Sequence, residues 1–414
     1  MLIAVIVFLA AWGYYIYTAS DWDSEDVIRT GGNSGVSAEC DSSDTIHIAL
    51  GGYLHDEYGL IYGQLSDGEW TLTEIQPLDD MYGDASIAVG PDGGVHIATC
   101  PTSTSLEQPG RDVLYATDVT DGWHMEILPT DSEPESPIVV LDRCGEVDIF
   151  YVCIHSADDS VLNRAFKNVS GWSTVEVQLG GRIPVHLFSA TTDTDGRTHV
   201  LFSNRTSEDF SAPYGLCYAL LDGESATVRD LPYSEGSVAS MTLDGVEEPV
   251  VGLVENSTGI PMFSIARIVE GDWSFDDIMP AHTSDDGVPA IAIGSQGDWH
   301  LTLSVGVEGG FPELWYATNS SGSWAAEKIG EPAPPSSLIF NAPIVVDSEG
   351  IVSVFCDRYL VVGKEPFRLV HTTSHIDAGT RSMPMLKAAL WSSVTLIGAI
   401  LAQHELLKRR RKPS

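Results

Sequence analysis

Hydrophobic and polar residues alternate along most of this chain in short runs that end at turn residues. Residues 289–329 show the pattern: the apolar run Ala290–Ile293 is followed, after a Ser-Gln-Gly turn, by His300–Leu303, and then by Leu314–Ala317 and Glu327–Ile329. Runs of roughly four to eight residues bounded by Gly, Ser, Asn or Asp are typical of β-strands. The stretch therefore predicts four short strands.

The same four-strand unit recurs along the middle of the chain. One marker is a tryptophan beside a turn, which returns about every 50 residues: it lies at Trp22, Trp70, Trp123, Trp172, Trp273 and Trp324, and Ser225 stands in the copy that lacks it. A second marker is a histidine in the second strand of four units, at His47, His96, His199 and His300. A period of this length with four strands per copy predicts the blades of a β-propeller.

The first and last units complete each other. Seven inner strand pairs can be recognised, but the seventh unit, which begins near Pro343, has no tryptophan strand. Asp21–Ile28 closely matches Asp272–Ile278 of a complete unit. The sequence therefore predicts an all-β protein, a seven-bladed β-propeller in which the N-terminal strand closes the last blade and removes an open seam.

Both ends of the chain carry apolar segments. Residues 1–19 are almost wholly apolar with Trp and Tyr gathered near their end, which predicts a membrane anchor; a signal peptide cleaved near Ala19 is the alternative. Residues 384–407 predict a second membrane helix, and an amphipathic helix lying on the membrane is the alternative there. The basic tail 408–414 follows directly.

Positive residues flanking a membrane helix mark its cytoplasmic side. We therefore expect the tail 408–414 in the cytoplasm and the propeller, residues 20–380, outside the cell membrane. A hairpin anchor of this kind requires both flanking helices to start beside the same blade, which the closure of the ring by the N-terminal strand would provide.

The charge is extreme: 59 acidic residues stand against 21 basic ones, for a net charge of −38. Such a surface repels phosphate backbones, so we expect no nucleic-acid partner. Dense carboxylates suit high salt, where charges are screened, which points to a halophilic or marine source. Simple solubility of an acidic extracellular domain is the alternative.

The units carry motifs close to Ser-Ile-Ala-Val, Asp-x-x-Gly, Val-His-Ile, Leu-Tyr-Tyr-Ala and Gly-x-Trp, in this order. Examples are 86–89, 193–196, 95–97, 314–317 and 322–324. This order resembles the BNR/sialidase-like propeller repeats of secreted and surface proteins, over about residues 22–379. The resemblance implies the propeller architecture. The family's full Asp-box is absent, and 120–123 holds only a fragment of it, so the resemblance does not carry sialidase activity over to this chain.

The repeated residues are expected to serve the blades. Equivalent histidines in separate blades lie too far apart to share an ion, and we expect polar side chains at this position, including Asp148, Glu248 and Ser353 elsewhere, to bond loop backbone. The tryptophans are expected to wedge between blades, with a sugar-stacking platform as the alternative. Asp193–Gly196 is a partial calcium loop that fits an ordinary turn equally well.

We identify no catalytic residue, no metal site and no cofactor site, because zinc spacing, phosphate-binding loops, dinucleotide fingerprints and nucleophile elbows are all absent from the sequence. The six cysteines are spread over several blades, with Cys144 and Cys153 in one hairpin, and most are expected to be buried free thiols. Four sequons predict possible N-glycosylation of an external domain, at Asn168, Asn204, Asn256 and Asn319.

These features predict a recognition module that binds a glycan or a surface protein on one face of the propeller, with the lipid bilayer as its other partner. Loops at 103–112 and 203–214 are long and could shape that face. One alternative is a polysaccharide hydrolase or lyase with its site at the propeller axis. A scaffold subunit of a membrane or cell-envelope complex is the other.

Overall fold

The computed structural model describes residues 22–374, apart from 31–34, 55–56, 78–81, 102–111, 121, 131, 157–158, 206–213, 224, 233, 235–237, 258, 282–288, 307–312, 330–341 and 359–367. The expected membrane segments 1–19 and 384–407 and the tail 408–414 lie outside the described residues. Within the described ranges no helix has the length and hydropathy to cross a membrane.

The described residues form 28 strands in seven four-stranded blades. In chain order the blades are: blade 1, β2 (Ser37–Cys40), β3 (Ile46–Leu54), β4 (Glu57–Ser66) and β5 (Glu69–Pro77); blade 2, β6 (Tyr82–Val89), β7 (Val95–Pro101), β8 (Val113–Thr120) and β9 (Gly122–Leu128); blade 3, β10 (Glu133–Leu141), β11 (Val147–Ser156), β12 (Asp159–Asn168) and β13 (Gly171–Glu176).

They continue as blade 4, β14 (Ile183–Thr192), β15 (Thr198–Arg205), β16 (Gly215–Asp222) and β17 (Ser225–Asp230); blade 5, β18 (Ala239–Leu243), β19 (Pro249–Glu255), β20 (Met262–Val269) and β21 (Asp272–Pro280); blade 6, β22 (Ala290–Ile293), β23 (Trp299–Val305), β24 (Glu313–Thr318) and β25 (Ala325–Lys328); and blade 7, β26 (Ile344–Val346), β27 (Val352–Arg358), β28 (Arg368–Ser374) and β1 (Trp22–Thr30). This confirms the seven-bladed, all-β prediction.

The ring is closed by the N-terminal strand, as expected. β1 pairs antiparallel with β28, from Trp22 opposite Ser374 to Arg29 opposite Arg368. The end of β1 also pairs with β3, which joins blades 7 and 1 into one sheet. The inner strands contact one another in the order β2, β6, β10, β14, β18, β22, β26 and back to β2.

Antiparallel order within the blades gives the propeller two different faces. The turns between first and second strands and between third and fourth strands lie together on one face, which we call the turn face. The connections between second and third strands and between blades lie on the other, the loop face. Because β1 begins and β28 ends at a turn-face position, both chain ends of the propeller leave on the turn face.

The turn after each inner strand is built in the same way in all seven blades. Its first residue donates its backbone N–H to the carbonyl four residues on, as Asp41 does to Thr45 and Asp347 to Ile351. In five blades this first residue is an aspartate, and its carboxylate also accepts backbone N–H groups of the turn, as Asp142 does from Cys144 and Glu146. These contacts fix where each second strand begins.

Two blades place the turn carboxylate differently. Blades 2 and 6 have Gly90 and Gly294 as the first turn residue, and the space is filled by the carboxylates of Asp92 and Asp298. A Cβ on Gly294 would lie 2.6 Å from Oδ1 of Asp298 and 2.9 Å from Nε2 of His300. Glycine is therefore required at this point, because a side chain would displace the carboxylate.

The four repeated histidines link the turn to the third strand. His47, His96, His199 and His300 each bond through Nδ1 to a tyrosine hydroxyl of the third strand, at 2.6 to 2.8 Å. Nε2 of three of them lies 2.9 to 3.2 Å from the carboxylates of Asp41, Asp193 and Asp298. A carboxylate only accepts, so Nε2–H donates and Nδ1 accepts the tyrosine proton.

The tryptophans pack against these tyrosines from the neighbouring blade. Ring centroids lie 5.0 to 6.0 Å apart in four pairs: Trp22–Tyr316, Trp123–Tyr62, Trp172–Tyr115 and Trp273–Tyr218. Trp70 packs in the same way on His371, which stands in the tyrosine position of blade 7. Trp324 instead stacks on Trp299 of its own blade. The histidines and tryptophans thus lie between and within blades, away from the axis.

Blades 3, 5 and 7 lack the histidine, and in each of them the tyrosine of the histidine–tyrosine pair is replaced as well. In blade 3, Asp148 and Arg164 form an ion pair at 2.7 Å. In blade 7, His371 bonds to Ser353 at 3.0 Å. In blade 5 the strand register places Val250 at the histidine position, rather than Glu248, and the apolar Ile265 at the tyrosine position. In each of these blades the two positions hold side chains that suit each other: an ion pair in blade 3, a hydrogen bond in blade 7 and two apolar residues in blade 5.

We expect Trp22→Ala to open the closing blade. Trp22 is 6% exposed, packs edge-on against Tyr316 and donates from Nε1 to Glu327 at 3.2 Å. Truncating a buried aromatic costs about 3–5 kcal/mol, so the denaturation midpoint in urea should fall markedly. Ile127→Ala, at a side chain that is 65% exposed, is the control and should change little; equal midpoints for both variants would contradict the role of β1.

The Asp148–Arg164 pair should behave as a unit. Asp148→Ala and Arg164→Ala each leave a partly buried charge without its partner, so each should destabilise the protein by about 1–3 kcal/mol. The double variant should cost less than the sum of the two, with a coupling of about 1 kcal/mol measured by chemical denaturation. Strict additivity would show that the ion pair contributes nothing.

Candidate functional site

The inner strands enclose an axial channel. Its volume is about 970 Å³. The wall is formed by inner strands of blades 1 to 5, with Pro343 before the inner strand of blade 7. Cavities of this size accommodate small ligands such as short oligosaccharides.

Serine hydroxyls close the gaps between neighbouring inner strands. Ser37 of blade 1 accepts the N–H of Ile87 in blade 2, and Ser86 of blade 2 accepts that of Val139 in blade 3. Ser189 donates to the carbonyl of Met241 in blade 5. Inner strands leave one edge without a ladder partner, so these hydroxyls satisfy backbone groups that would otherwise be unpaired in the channel wall.

Glu39 is the unusual side chain of this wall. It lies on β2, two residues before the turn, and its Oε2 accepts the N–H of Val89 at 2.9 Å. Burial raises the pKa of Glu39 to about 7; the bond from Val89 opposes this shift and the nearby carboxylate of Asp41 adds to it. A carboxyl group with this pKa can donate or accept a proton near neutral pH.

The turn-face mouth of the channel is acidic. Asp41, Asp142 and Asp193 line it together with one cation, Arg143, whose Nη1 donates to the carbonyl of Thr194 at 3.5 Å. The carboxylates are occupied in building their turns, as with Asp193, which accepts from Arg197 and His199. They supply a negative potential at this mouth.

The Asp193–Gly196 turn, which resembles part of a calcium loop, brings carboxylate oxygens of Asp193, Asp195 and Glu247 within 4.8 Å of one another. Arg197 lies against both aspartates, and Glu247 accepts the N–H of Thr194 at 3.0 Å. These bonds account for the grouping as part of the turn structure.

The loop-face rim carries a second group of polar and aromatic side chains, from blades 3 and 4. Nδ1 of His186 lies 3.5 Å from Oε2 of Glu135. Phe188 lies beside His186, with ring centroids 6.4 Å apart, and lines the channel. Both strands are bulged here, and Ser136 has a φ of 51°. Bulges re-aim side chains and such backbone strain clusters at functional sites.

The two ends of the channel are distinct sites. When the blades are aligned on their turns, Glu39 corresponds to Val140 of blade 3. Glu135 precedes Val140 by five residues, one of which is taken up by the bulge. Glu39 and Glu135 are therefore separated along the channel axis by about four strand residues, or roughly 13 Å. Carboxylates that act on one glycosidic bond lie about 5–10 Å apart. Glu39 and Glu135 therefore do not form such a pair.

Sequence reasoning missed Glu39, Glu135 and His186. The sequence did hold a signal for Glu39. When the seven units are aligned on their turns, Glu39 is the one ionisable residue at its position. The other blades have Ala88, Val140, Thr191, Thr242, Ala292 and Val345 there. Glu135 and His186 precede bulges that shift the register, so the repeat pattern does not single them out.

The predicted modification sites lie on the surface or near it. Asn168 and Asn256 are exposed, whereas Asn204 and Asn319 use Oδ1 to accept backbone N–H groups of Ile183 and Trp299. All six cysteines are free thiols; Cys144 is exposed, Cys40 is half-buried and the other four are buried. The long loops expected at 103–112 and 203–214 lie largely outside the described residues.

Glu39 should make stability depend on pH. Between its usual pKa of 4.5 and about 7 the folded state holds a proton that the unfolded state has lost, so this contribution falls as pH rises through that window. The change corresponds to up to roughly 3 kcal/mol. Glu39→Gln should therefore be more stable than wild type at pH 8 and similar at pH 4, measured by thermal melting.

Glu57→Gln removes the same charge at an exposed position and is the matched control for that comparison. A pH-independent difference between Glu39→Gln and wild type would show that the Glu39 carboxyl does not titrate near neutrality.

Comparison with known proteins supports the architecture. No protein-family model and no curated protein sequence matches the chain. A protein of unknown function from Dyadobacter fermentans is similar over 86% of this chain and 99% of its own, at 12% identity and a TM-score of 0.51. An ulvan lyase of polysaccharide lyase family PL25, bound to -[GlcA(1-4)Rha3S]-, covers 83% and 95%, at 10% identity and 0.51.

The Aleuria aurantia lectin AAL, in complex with Fucα1-6GlcNAc, covers 74% of this chain and 98% of its own, at 13% identity and a TM-score of 0.47. Identities this low show the fold alone. The PL25 lyase thus has the same propeller architecture as this chain. The comparisons do not confirm the BNR/sialidase-like family, because no family model matches.

Proposed function

We propose that this protein is a membrane-anchored extracytoplasmic propeller that recognises a glycan at the loop-face mouth of its channel. The observation that carries the proposal is the rim of blades 3 and 4, where Glu135, His186 and Phe188 gather beside a bulged backbone. A carboxylate, an imidazole and an aromatic face are groups that bind sugar hydroxyls and the apolar face of a sugar ring.

The position of the chain ends supports this orientation. Trp22 pairs with Ser374, so the two ends of the described propeller lie beside each other on the turn face. We propose that membrane anchors at 1–19 and 384–407 hold the propeller by these two ends. Anchored there, the propeller would hold its turn face toward the bilayer and its loop face toward the surroundings. A ligand outside the cell would then meet the rim of blades 3 and 4 first.

The charge of the protein narrows the choice of glycan. At a net charge of −38, approach of a polyanionic polysaccharide rich in uronate or sulfate is opposed until salt screens the repulsion. Neutral or amine-bearing glycans are not opposed. We therefore propose these as the ligand class, and a surface protein presenting such a glycan as the natural source.

A second candidate function is a polysaccharide hydrolase or lyase. The contact between His186 and Glu135 favours it, because a histidine oriented by a carboxylate is a common arrangement for a general base. His186 is exposed, with 49% of its side-chain surface accessible, which leaves it open to a substrate. A third possibility, a scaffold role in an envelope complex, would need neither of these residues.

The test is a glycan-array screen of the full-length chain in a detergent without a sugar headgroup, at about 0.15 M and about 1 M salt. Neutral or amine-bearing glycans should bind at both salt concentrations. Phe188→Ala and His186→Ala should each weaken binding at least about tenfold, the loss expected for one aromatic or charge-assisted contact. Ile127→Ala, on the outer strand of blade 2, should bind as wild type does.

Absence of binding across neutral, amine-bearing and anionic glycans at both salt concentrations would refute the recognition and enzyme functions together. Partners should then be sought by crosslinking in native membranes, as the scaffold role requires. Shortening of a bound glycan, or appearance of a new reducing end, that is lost in His186→Ala would replace recognition by catalysis.

A further inference from the structure

The turn-face half of the channel has a polar arrangement that the rim does not share. Glu39, Thr191 and Thr242 occupy the same position of the inner strands of blades 1, 4 and 5, and all three line the channel. In a seven-membered ring, blades 4 and 5 stand across the axis from blade 1. One residue with a carboxyl group thus stands across the axis from two residues with hydroxyl groups, and the equivalent residues Ala88 and Val140 on the wall between them are apolar.

One carboxyl oxygen of Glu39 is available to bind a ligand. Its Oε2 is held by the N–H of Val89, which fixes the carboxyl group against blade 2. Its Oε1 has no hydrogen-bond partner among the residues that the structure describes. The side chain is therefore positioned by one oxygen while the other remains free to accept, which is the arrangement of a preorganised recognition group.

The potential around Glu39 favours a positive ligand. Asp41, Asp142 and Asp193 line the same end of the channel, against the single cation Arg143. Charges of one sign around a cleft with low-dielectric walls focus the field into it. An anion would meet this field on entry, whereas a cation would be concentrated by it.

We propose that this half of the channel binds the protonated amine of an amine-bearing saccharide, with Glu39 as its counter-ion and with the hydroxyls of Thr191 and Thr242 available to the same sugar unit. The inference rests on the glycan recognition proposed above and adds a second contact, deeper along the axis than the rim. A primary ammonium group offers three donors and no acceptor. A carboxylate that only accepts, together with hydroxyl oxygens, complements it.

Proton release gives this site a signature that a purely structural glutamate would not have. Burial raises the pKa of Glu39 to about 7, so part of the protein carries a protonated Glu39 at neutral pH. A bound ammonium group favours the ionised carboxylate. Binding should therefore release protons from Glu39. The measurement is calorimetry at about pH 6, where the amine of the sugar already carries its proton and takes up few more, in two buffers that differ in ionisation enthalpy. Asp41 and Asp142, which face the same mouth, are present in all variants compared.

The experiment uses full-length protein and two matched probes, the glucosamine trisaccharide and its fully N-acetylated form, which differ only in the amine. Wild type should bind the free-amine form at least about tenfold more tightly, because hydrogen bonds to a charged group contribute more than neutral ones. Glu39→Gln should abolish this preference and the proton release. Glu57→Gln, with the same change at an exposed position, should keep both.

Thr191→Val tests the opposite wall with little change in volume and should reduce the preference for the free amine. A melting curve for each variant shows that it is folded before affinities are compared. A calcium chloride titration without sugar distinguishes an inorganic cation from the amine as the ligand of Glu39. Calcium binding that is lost in Glu39→Gln, with no preference between the sugars, would overturn the proposal.

Failure of this inference and failure of the proposed function look different. Equal binding of both trisaccharides, unchanged in Glu39→Gln but weakened in Phe188→Ala, would overturn the amine site and leave recognition at the rim intact. Binding of other neutral glycans with no binding of either trisaccharide would do the same. No glycan binding at all would remove the proposed function, and the amine site with it.

Discussion

The pairing of β1 with β28 is the contact on which the rest of the propeller depends. A four-stranded blade cannot bury both of its faces alone, so the ring is stable only when every blade has two neighbours. Trp22 fills the space against Tyr316 of blade 6 from one side of this strand. From the other side, Glu25 accepts from Trp70 of blade 1 and lies 3.0 Å from His371. One strand therefore joins three blades.

The contacts inside each blade begin at the turn between its first and second strands. A carboxylate of the turn holds the first residues of the second strand. A histidine bonds through one ring nitrogen to this carboxylate and through the other to a tyrosine hydroxyl, and a tryptophan of the next blade packs on the tyrosine ring. Burial lowers the pKa of His96 and His199, which keeps the imidazoles neutral so that Nδ1 can accept. Where one member changes, its partner changes too, as with Asp148 and Arg164, because a single change would leave a buried polar group unsatisfied.

Much of this fold could be predicted from the sequence, because the repeat is regular and each strand is short. The seven inner strand pairs were sufficient to count the blades, and the match of Asp21–Ile28 with Asp272–Ile278 assigned Trp22 to the last one. The sites at the axis were harder to predict. Glu39 lies in a strand of only four residues, and its chemistry comes from burial against Val89 of another blade. The bulges in β10 and β14, which place Glu135 beside His186, leave no simple pattern in the sequence.

The ends of β1 and β28 also determine how the ring responds to force. Trp22 and Ser374 are opposite each other at the start of the ladder, so pulling the two flanking segments apart would load the hydrogen bonds one at a time, from that end, as in unzipping. Strands loaded this way part at lower force than strands sheared along their length. If the flanking segments are anchored as we propose, a bilayer would hold the two ends together and oppose that separation. Blade 7 is then the place where the propeller would open if either end were released.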